Sequence, residues 1–476
     1  MHSSILIKTC TCLLLFWSAR LHAQSNTGLV LDWPSFRSRV LENHPVSRQA
    51  DLYRDQAAAS LLRARGGFDP KLYAEYDAKN FNQKNYFQHT EAGVKWPTVL
   101  GLEFKSAYHY ATGDFLNPES KLPSNGQALF GFNWTLGQGL VIDERRAAIR
   151  QAQIGLQQGN AERDALLNDL LLESAKSYWT WVLADNQLRV FEEALRQAQI
   201  RHDGLRESYL QGDKPAIDTL ESFIQVQNRT LDVNFARTDL KNATLSVLNF
   251  LWNADNQPFA PETPVMAPDI TTGEFIPLAD AAGLDLQQQA GLNHPELLIY
   301  EAKMRNLDVE RRLKNEKRKP ALDLSYYLLG AGWEFFRASA NNGPGVFTGD
   351  IKWGIQFSYP ILNRKARGDL QVTDIKLAQT EYELRRKRRE VATKVQQYEN
   401  ELNTLAGQID LYRKITGNYR TLLDAENEKF RFGESSVFLI NTREQRWLEA
   451  QVKLLKLLGE YRKTEAGLQW AAGGVR

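Results

Sequence analysis

The stretch Tyr209–Pro215, with the sequence YLQGDKP, ends a helical pattern that runs without proline from Asp143 to Tyr209. The stretch Phe430–Ser436, with the sequence FRFGESS, ends a second pattern of the same kind. Apolar residues recur along both patterns at steps of four and three, the spacing of helices that pack lengthwise against a neighbour. About 68 residues at ~1.5 Å each give a helix of roughly 100 Å. The chain is therefore predicted to contain two very long helical hairpins.

The seam residues of these helices are Phe191, Leu195, Ala198, His202, Leu205 and Tyr209 in the first, and Val391, Val395, Tyr398, Leu402, Leu405, Ile409 and Tyr412 in the second. Each turn pairs a glycine with an acid, Gly212 with Asp213 and Gly433 with Glu434. Glycine supplies the left-handed residue that reverses two antiparallel helices. The acid then precedes the positive N-terminal end of the return helix.

A short triplet opens each half of the chain, Asn43-His44-Pro45 and then Asn293-His294-Pro295 about 250 residues later. Each triplet leads to alternating strands and then to a long hairpin, and such an ordered duplication indicates a repeated, tube-building unit. Proline is favoured in the first helical turn, so both triplets are interpreted as helix starts. Neither histidine has a second histidine three or four residues away, so no metal site is predicted there.

Alternating, aromatic-rich stretches predict four strands in two hairpins: Phe68–Phe81 with Gln127–Leu136, and Ala321–Gly332 with Asp350–Leu362. The stretches Gly113–Gly126 and Ser339–Gly349 are predicted to be loops. Aromatic residues near the strand ends, including Tyr73, Tyr76, Tyr86, Phe130, Phe132, Trp134, Tyr326, Tyr327, Trp333, Phe335, Phe336, Trp353 and Phe357, favour the girdles of a membrane barrel over a soluble β-core. Residues 90–110 resemble a further hairpin that the pattern does not place.

Residues 1–23 are predicted to be a signal peptide, with an apolar core too short to span a bilayer. Both cysteines, Cys10 and Cys12, lie inside it, which excludes disulfides and thiolate metal sites from the mature chain. The net charge of +2 equals the charges of Lys8 and Arg20, so the mature chain is near neutral and nucleic acid is not an expected partner. An exported chain of this kind would enter a membrane with β-strands.

The ordered duplication resembles the TolC-like outer membrane efflux proteins over nearly the whole mature chain. Beyond the paired triplets and glycine turns, it is carried by Phe132–Leu136 (FNWTL), Phe357–Asn363 (FSYPILN), Asp218–Glu221 (DTLE) and Phe438–Asn441 (FLIN). The resemblance implies a mixed α and β membrane protein. It would be a trimeric, 12-stranded outer-membrane β-barrel, with four strands per chain, continued by a long periplasmic α-helical barrel. Four strands alone cannot close a barrel, because about eight is the practical minimum.

The expected division is a first repeat at 24–256, with strands about 68–136 and a long helical hairpin at 141–256. A proline-rich linker follows at 257–277, and the second repeat covers 278–476, with strands about 321–362 and a hairpin at 366–470. Prolines at positions 258, 261, 264, 268 and 277 prevent a helix in the linker, which is expected to form a collar partway along the hairpins.

The resemblance implies a passive exit duct in the outer membrane of a Gram-negative bacterium, coupled to an inner-membrane transporter through a periplasmic adaptor. In the family the tip turns dock the adaptor, which here implicates Gly212, Asp213, Gly433 and Glu434. Acids one turn past the tip can ring the closed pore, and Asp218 and Glu221 match that pattern. Asn441 stands at the matching place in the second repeat, so an acidic gate would come from the first hairpin. The alternatives are helix caps only at the turns and solvated surface acids beyond them.

Other classes of protein fit less well. The sequence contains no phosphate-binding loop, nucleophile elbow or paired metal histidines, so neither an enzyme nor a cofactor is expected. A soluble periplasmic coiled-coil scaffold or adaptor explains the heptads but not the aromatic strands, and a stand-alone porin does not need the helices. Drugs, metal ions and secreted peptides or proteins stay open as cargo.

Overall fold

A computed structural model describes residues 30–260, 265–334 and 350–474 of the chain. The predicted signal peptide and the predicted loop Ser339–Gly349 lie outside these ranges, as do Phe335 and Phe336 of the predicted girdle and the linker prolines at 261 and 264.

The described elements follow the order of the two predicted repeats. They are α1 (Trp33–Asn43), α2 (Pro45–Arg65), β1 (Lys71–Phe81), β2 (Lys84–Pro97), β3 (Leu102–Thr112), β4 (Gln127–Thr135), α3 (Glu144–Leu210), α4 (Ala216–Leu248), α5 (Asp280–Asn293), α6 (Pro295–Glu316), β5 (Ala321–Ala331), β6 (Ile351–Ser358), α7 (Arg364–Arg431) and α8 (Val437–Ala471). Two single 3₁₀ turns lie at 66–68 and 118–120.

The two long helices have nearly equal lengths, 67 residues in α3 and 68 in α7. At ~1.5 Å per residue each is roughly 100 Å long. The predicted seam of α7 is mostly buried, with Val395 and Ile409 covered. In α3 only Ala198 and Leu205 of the predicted seam are buried, and Tyr209 at the tip is exposed. No helix among the described residues combines the length and the apolar character that a membrane crossing needs.

Shorter helices lie end to end beside the long ones. Helices α2 and α4 both pack along α3, while α6 and α8 both pack along α7 and also contact α3. A section through either end of the helical region therefore cuts four packed helices, in the order α2 or α4, α3, α6 or α8, and α7. This layer is the lengthwise packing that the heptad spacing predicts.

Both Asn-His-Pro triplets are helix starts, as predicted. His44 Nδ1 accepts a hydrogen bond of 3.2 Å from the N–H of Val46, and His294 Nδ1 accepts one of 3.3 Å from the N–H of Glu296. The prolines occupy the first helical positions, where a missing N–H leaves no bond unmade. Burial lowers the pKa of both imidazoles, which keeps them in the neutral form that can accept this bond.

The segment between α4 and α5 contacts the long helices partway along their lengths. The side chain of Asn186 in α3 donates to the carbonyl of Pro268 at 3.0 Å, and the hydroxyl of Tyr461 in α8 donates to the carbonyl of Ile276 at 2.8 Å. The largest buried side chains are close to this level, with Phe36 stacked on Tyr178 at 5.0 Å between ring centroids. The main core therefore lies where the segment crosses the hairpins.

Among the described residues the sheet has six antiparallel strands in sequential order, so the expectation of four strands per chain was wrong. The additional pair is β2 and β3, formed by the segment around 90–110 that the sequence pattern did not place. Gly101 sits at the turn between them with φ +78°, a backbone conformation that favours glycine. The last strand ends at Ser358, before Pro360, which has no N–H to continue the ladder.

Candidate functional site

The strand register gives the sheet two chemically different faces. Successive side chains alternate between faces, so the paired residues of neighbouring strands share a face. Among the described strand residues, one face carries no charged side chain except Lys84. It presents Leu72, Ala74, Tyr76, Tyr86, Ala92, Val94, Trp96, Leu102, Phe104, Tyr108, Tyr110, Phe130, Phe132, Trp134, Leu322, Leu324, Tyr326, Leu328, Ile351, Trp353, Ile355 and Phe357. Much of it is uncovered, with Leu72 84 % and Phe357 67 % exposed.

The opposite face is polar and internally bonded. It presents Lys71, Tyr73, Glu75, Asp77, His89, Glu91, Lys95, Lys105, His109, Asn133, Asp323, Ser325, Tyr327, Lys352 and Gln356. Two tyrosines that the sequence assigned to an aromatic girdle lie here instead. Tyr73 donates to Glu91 at 2.5 Å, and Tyr327 donates to Asn133 at 2.6 Å. Their hydroxyl groups require polar partners, which the apolar face does not offer.

The two hairpin tips have the same backbone geometry. Gly212 and Gly433 are left-handed, with φ of +87° and +78°, as the sequence predicts. The N–H of Asp213 donates to the carbonyl of Ser208 at 3.0 Å, and that of Glu434 donates to Lys429 at 2.9 Å. Both turns are Schellman motifs, which satisfy the last carbonyls of a helix.

Neither acid of the tip turns caps a return helix. Asp213 and Glu434 each lie three residues before the first residue of α4 or α8, and their N–H groups bond to the preceding helix. The first turn of α4 carries Asp218 instead, and α8 is capped by the Ser436 hydroxyl, which accepts from the Leu439 N–H at 3.4 Å. The carboxylates of the turns are left on the end surface of the hairpins.

A polar network joins the two hairpins about two turns beyond the tips. Arg201 of α3 donates to Asn441 at 3.0 Å and to Glu444 at 2.6 Å, both on α8. The side-chain amide of Asn441 donates in turn to Glu221 of α4 at 3.3 Å. Two predicted site residues, Glu221 and Asn441, are thus brought together, whereas Asp218 lies about one turn earlier in α4, outside this network.

The centre of the network is largely removed from solvent. The side chain of Glu444 is 5 % exposed and that of Arg201 is 18 % exposed. An ion pair in such a place is only weakly screened, and either partner would be left as an uncompensated charge without the other. Sequence reasoning missed both residues, because they are 243 positions apart. The local sequence carries no signal that marks either residue.

The second tip has its own bonds, which stay within one hairpin. The Ser435 hydroxyl donates to Glu426 of α7 at 2.6 Å, and Arg443 of α8 lies 3.6 Å from the same carboxylate. The bond from Ser435, with support from Arg443, lowers the pKa of Glu426. Around both tips large apolar side chains are exposed, among them Leu210, Ile217, Phe432 and Phe438.

The residues that the structure describes include no group of three or more His, Cys, Asp or Glu side chains placed to hold a metal ion.

The family model described as "Outer membrane efflux protein" matches residues 286–474. This part of the chain is an outer membrane efflux protein domain. The match confirms the resemblance for the second repeat, from a position within α5 through the end of α8. Among curated protein sequences, none is significantly similar to this chain.

Solved structures share the fold of this chain over nearly its whole length. CusC, a protein studied for its folding and transmembrane channel formation, is 16% identical to this chain with a TM-score of 0.64. The similarity covers 93% of this chain and 92% of CusC. The Campylobacter jejuni CmeC outer membrane channel is 14% identical with a TM-score of 0.60, covering 99% and 94%. The open state of the Neisseria gonorrhoeae MtrE outer membrane channel is 14% identical with a TM-score of 0.64, covering 92% and 88%. The helix-rich fold with an antiparallel sheet is therefore the fold of these outer membrane channels.

Proposed function

We propose that this protein is the outer-membrane exit duct of a tripartite efflux or type I secretion system, acting as a passive trimeric channel. The observation that carries this proposal is the two-faced sheet at one end of helices roughly 100 Å long. An exposed apolar face with a polar opposite face suits strands that separate lipid from an aqueous lumen. The same sheet has two open edges, and open edges are not found within the hydrocarbon region.

The tip network supports a gate at the periplasmic end of the helices. Arg201 holds α8 of the second hairpin against α3 of the first, while Asn441 extends the connection to α4. A channel that opens by separating the hairpins must break these bonds. Each hydrogen bond to a charged group contributes about 1.5–3 kcal/mol, so these three bonds favour the closed tip until a partner protein compensates for their loss.

The tip surface supports docking of a periplasmic adaptor, which in turn connects the duct to an inner-membrane transporter. Asp213 and Glu434 leave their carboxylates beside exposed apolar residues at both glycine turns. A surface that mixes uncovered apolar groups with charges at its rim is typical of protein interfaces. The two turns have the same geometry, so an adaptor could engage each hairpin in the same way.

The first test is extraction of the full-length protein from outer membranes in mild detergent, followed by mass determination and electron microscopy. We expect a trimer with a short membrane part and a tail of roughly 100 Å. A soluble, monomeric rod in the periplasmic fraction would contradict the proposal and favour the coiled-coil scaffold instead.

The partner claim has a separate test. A photo-crosslinking residue at Asp213 or Glu434 in the native host should capture a periplasmic adaptor, whereas one at Arg196, exposed on α3 and bonded only to nearby Glu193, should not. A trimer that crosslinks to no adaptor from either tip would be a stand-alone porin.

A further inference from the structure

The sheet has two more strands than its connections to the helices require. Four strands connect to helices: β1 follows α2, β4 precedes α3, β5 follows α6 and β6 precedes α7. The hairpin of β2 and β3 has no helix of its own and lies between β1 and β4. Helices α2 and α3 nevertheless pack directly on each other. The hairpin therefore widens the sheet without widening the helical layer.

The extra hairpin is an integral part of the sheet. Glu91 of β2 bonds to Lys105 of β3 at 2.7 Å and accepts from Tyr73 of β1 at 2.5 Å, which ties three strands together on the polar face. Its turn reaches the top of the helical layer, where Arg145 of α3 lies 3.6 Å from Glu103. The apolar face continues through both strands, from Val94 to Ser106 and Phe130. A hairpin outside the wall would not share both faces of its neighbours.

The two outer edges of the sheet, on β1 and β6, have the directions that an antiparallel pair needs. Within the part of the chain that the structure describes, no strand pairs with the outer sides of β1 and β6. Because the sheet has an even number of alternating strands, β1 runs away from the helices and β6 runs back toward them. Six strands are too few to close a barrel. An outer β1 edge placed beside the outer β6 edge of another copy gives an antiparallel pair, like every other pair in the sheet.

We propose that the β1 edge binds the β6 edge of a second copy of this chain, and that three copies close an 18-stranded barrel. This inference rests on the proposed trimeric duct and deepens it, because it makes the wall half as wide again as the 12 strands expected from the family resemblance. Eighteen lies within the even strand numbers that bacterial outer-membrane barrels adopt.

The widths of the two layers agree with this size. At a strand spacing of ~4.8 Å and a tilt of about 40°, six strands cover about 38 Å of circumference and four strands about 25 Å. Four helices packed at about 9–10 Å cover about 36–40 Å. A six-stranded sheet therefore matches the four-helix layer to which it is joined. By the same geometry the barrel radius is about 18 Å rather than about 12 Å.

Counting strands in a cryo-electron microscopy map of the full-length, detergent-extracted trimer tests the inference directly. Eighteen strands in the wall would support it. A trimer with twelve wall strands and the β2–β3 hairpin outside the wall would overturn the barrel size while leaving the exit duct intact. A protein that is not trimeric would overturn both proposals.

Disulfide trapping in intact outer membranes identifies the joined edges. The only native cysteines are in the predicted signal peptide. We expect Gln356→Cys on β6, combined in turn with cysteine at Lys71, Tyr73, Glu75 or Asp77 on the polar face of β1, to give crosslinked oligomers in at least one combination. The matched control combines Gln356→Cys with Lys105→Cys or His109→Cys on β3. Crosslinks to β3, or none to any β1 position, would contradict the inference.

Discussion

The two helical hairpins of this chain are near copies of each other, whereas the two parts of its sheet are not. The long helices have 67 and 68 residues, the return helices 33 and 35, and both tips turn at a left-handed glycine. The first repeat contributes four strands to the sheet and the second contributes two.

The difference reflects how each layer tolerates an insertion. A long helix contacts neighbours along its whole length, so an added helix would change the packing of every other helix. An added strand pair needs only backbone partners on both sides and a matching alternation of side chains. The β2–β3 hairpin meets both conditions. The number of helices in the layer is therefore restrained, whereas the number of strands in the sheet is free to vary.

The hairpins do differ in one respect, which is whether the polar bonds near each tip cross to the other hairpin. Arg201 crosses from the first hairpin to the second, whereas Arg443 stays within the second. We expect Arg201→Ala to have the largest effect of the changes considered, because it leaves Glu444 buried without its partner, at a cost of about 3–5 kcal/mol. The tip should open more readily, giving higher single-channel conductance and greater entry of large antibiotics into cells.

The matched variant is Arg443→Ala, which removes an arginine at the same end of the molecule and should leave conductance near the wild-type value. Its ion pair with Glu426 is longer, at 3.6 Å, and joins two helices that already form one hairpin. Equal conductance changes in the two variants would mean that the bonds between hairpins do not hold the tip closed.

The two faces of the sheet should respond oppositely to charge in both halves of the chain. Ile355→Arg in β6 and Val94→Arg in β2 place a charge on the apolar face and should each destabilise the membrane-inserted protein by about 2–4 kcal/mol, most at mid-membrane depth. Gln356→Arg and His89→Arg place it on the polar face and should be tolerated. The measurement is the amount of folded trimer in outer membranes.

The same variants also test whether the β2–β3 hairpin lies in the membrane wall. If Val94→Arg is tolerated while Ile355→Arg is not, then β2 does not face lipid and the added strands stand outside the membrane wall.

The sequence predicted the parts of the fold that depend on local pattern. The hairpin tips follow from the pair of glycine and acid that ends each long proline-free pattern, and the Asn-His-Pro triplets follow from the preference for proline in the first helical turn. The strand count failed because Thr90, Ala92 and Ser106 interrupt the large apolar side chains on one face of β2 and β3, so the alternation in the sequence is uneven. Such a pattern defines a strand clearly only when its partners are known.

Half of the tip network could not be found in the sequence for a different reason. Asn441 and Glu221 stand near the recognisable turns, but Arg201 and Glu444 are identified only by the packing of α3 on α8. Nothing local distinguishes Arg201 from the exposed Arg196 on the same helix, which bonds to Glu193 one turn away. Long-range pairing selects between them, and pairing of that kind is absent from the pattern of a single helix.

The two tips should be equally sensitive at their glycines. Gly212→Ala and Gly433→Ala add a side chain that meets open space, so the effect comes from the left-handed backbone alone, about 1–2 kcal/mol of destabilisation each. The controls are Gly204→Ala in α3 and Gly417→Ala in α7, which also meet open space but lie inside helices. These should stabilise by up to about 1 kcal/mol. Thermal unfolding in detergent compares all four, and a shared sign would contradict the turn geometry.

The smallest expected effect is a difference between the two Asn-His-Pro triplets in how their helix caps respond to pH. Both histidines cap a helix through a neutral Nδ1, but His294 is only 4 % exposed and His44 is partly exposed. Burial lowers the pKa of each in the folded state. The capping contribution, about 1 kcal/mol, is therefore fully present above the unfolded pKa of about 6.5 and is lost as the pH falls through the lowered folded pKa.

We expect His294→Asn to weaken this pH dependence, because asparagine caps a helix without titrating. The measurement is the midpoint of thermal unfolding between pH 5 and pH 8 for the wild type and the two variants His294→Asn and His44→Asn. The change should be larger at position 294, since the more buried imidazole is more costly to protonate. An unchanged pH dependence in His294→Asn would show that the acid sensitivity arises elsewhere, and a larger change at position 44 would reverse the order that burial assigns to the two triplets.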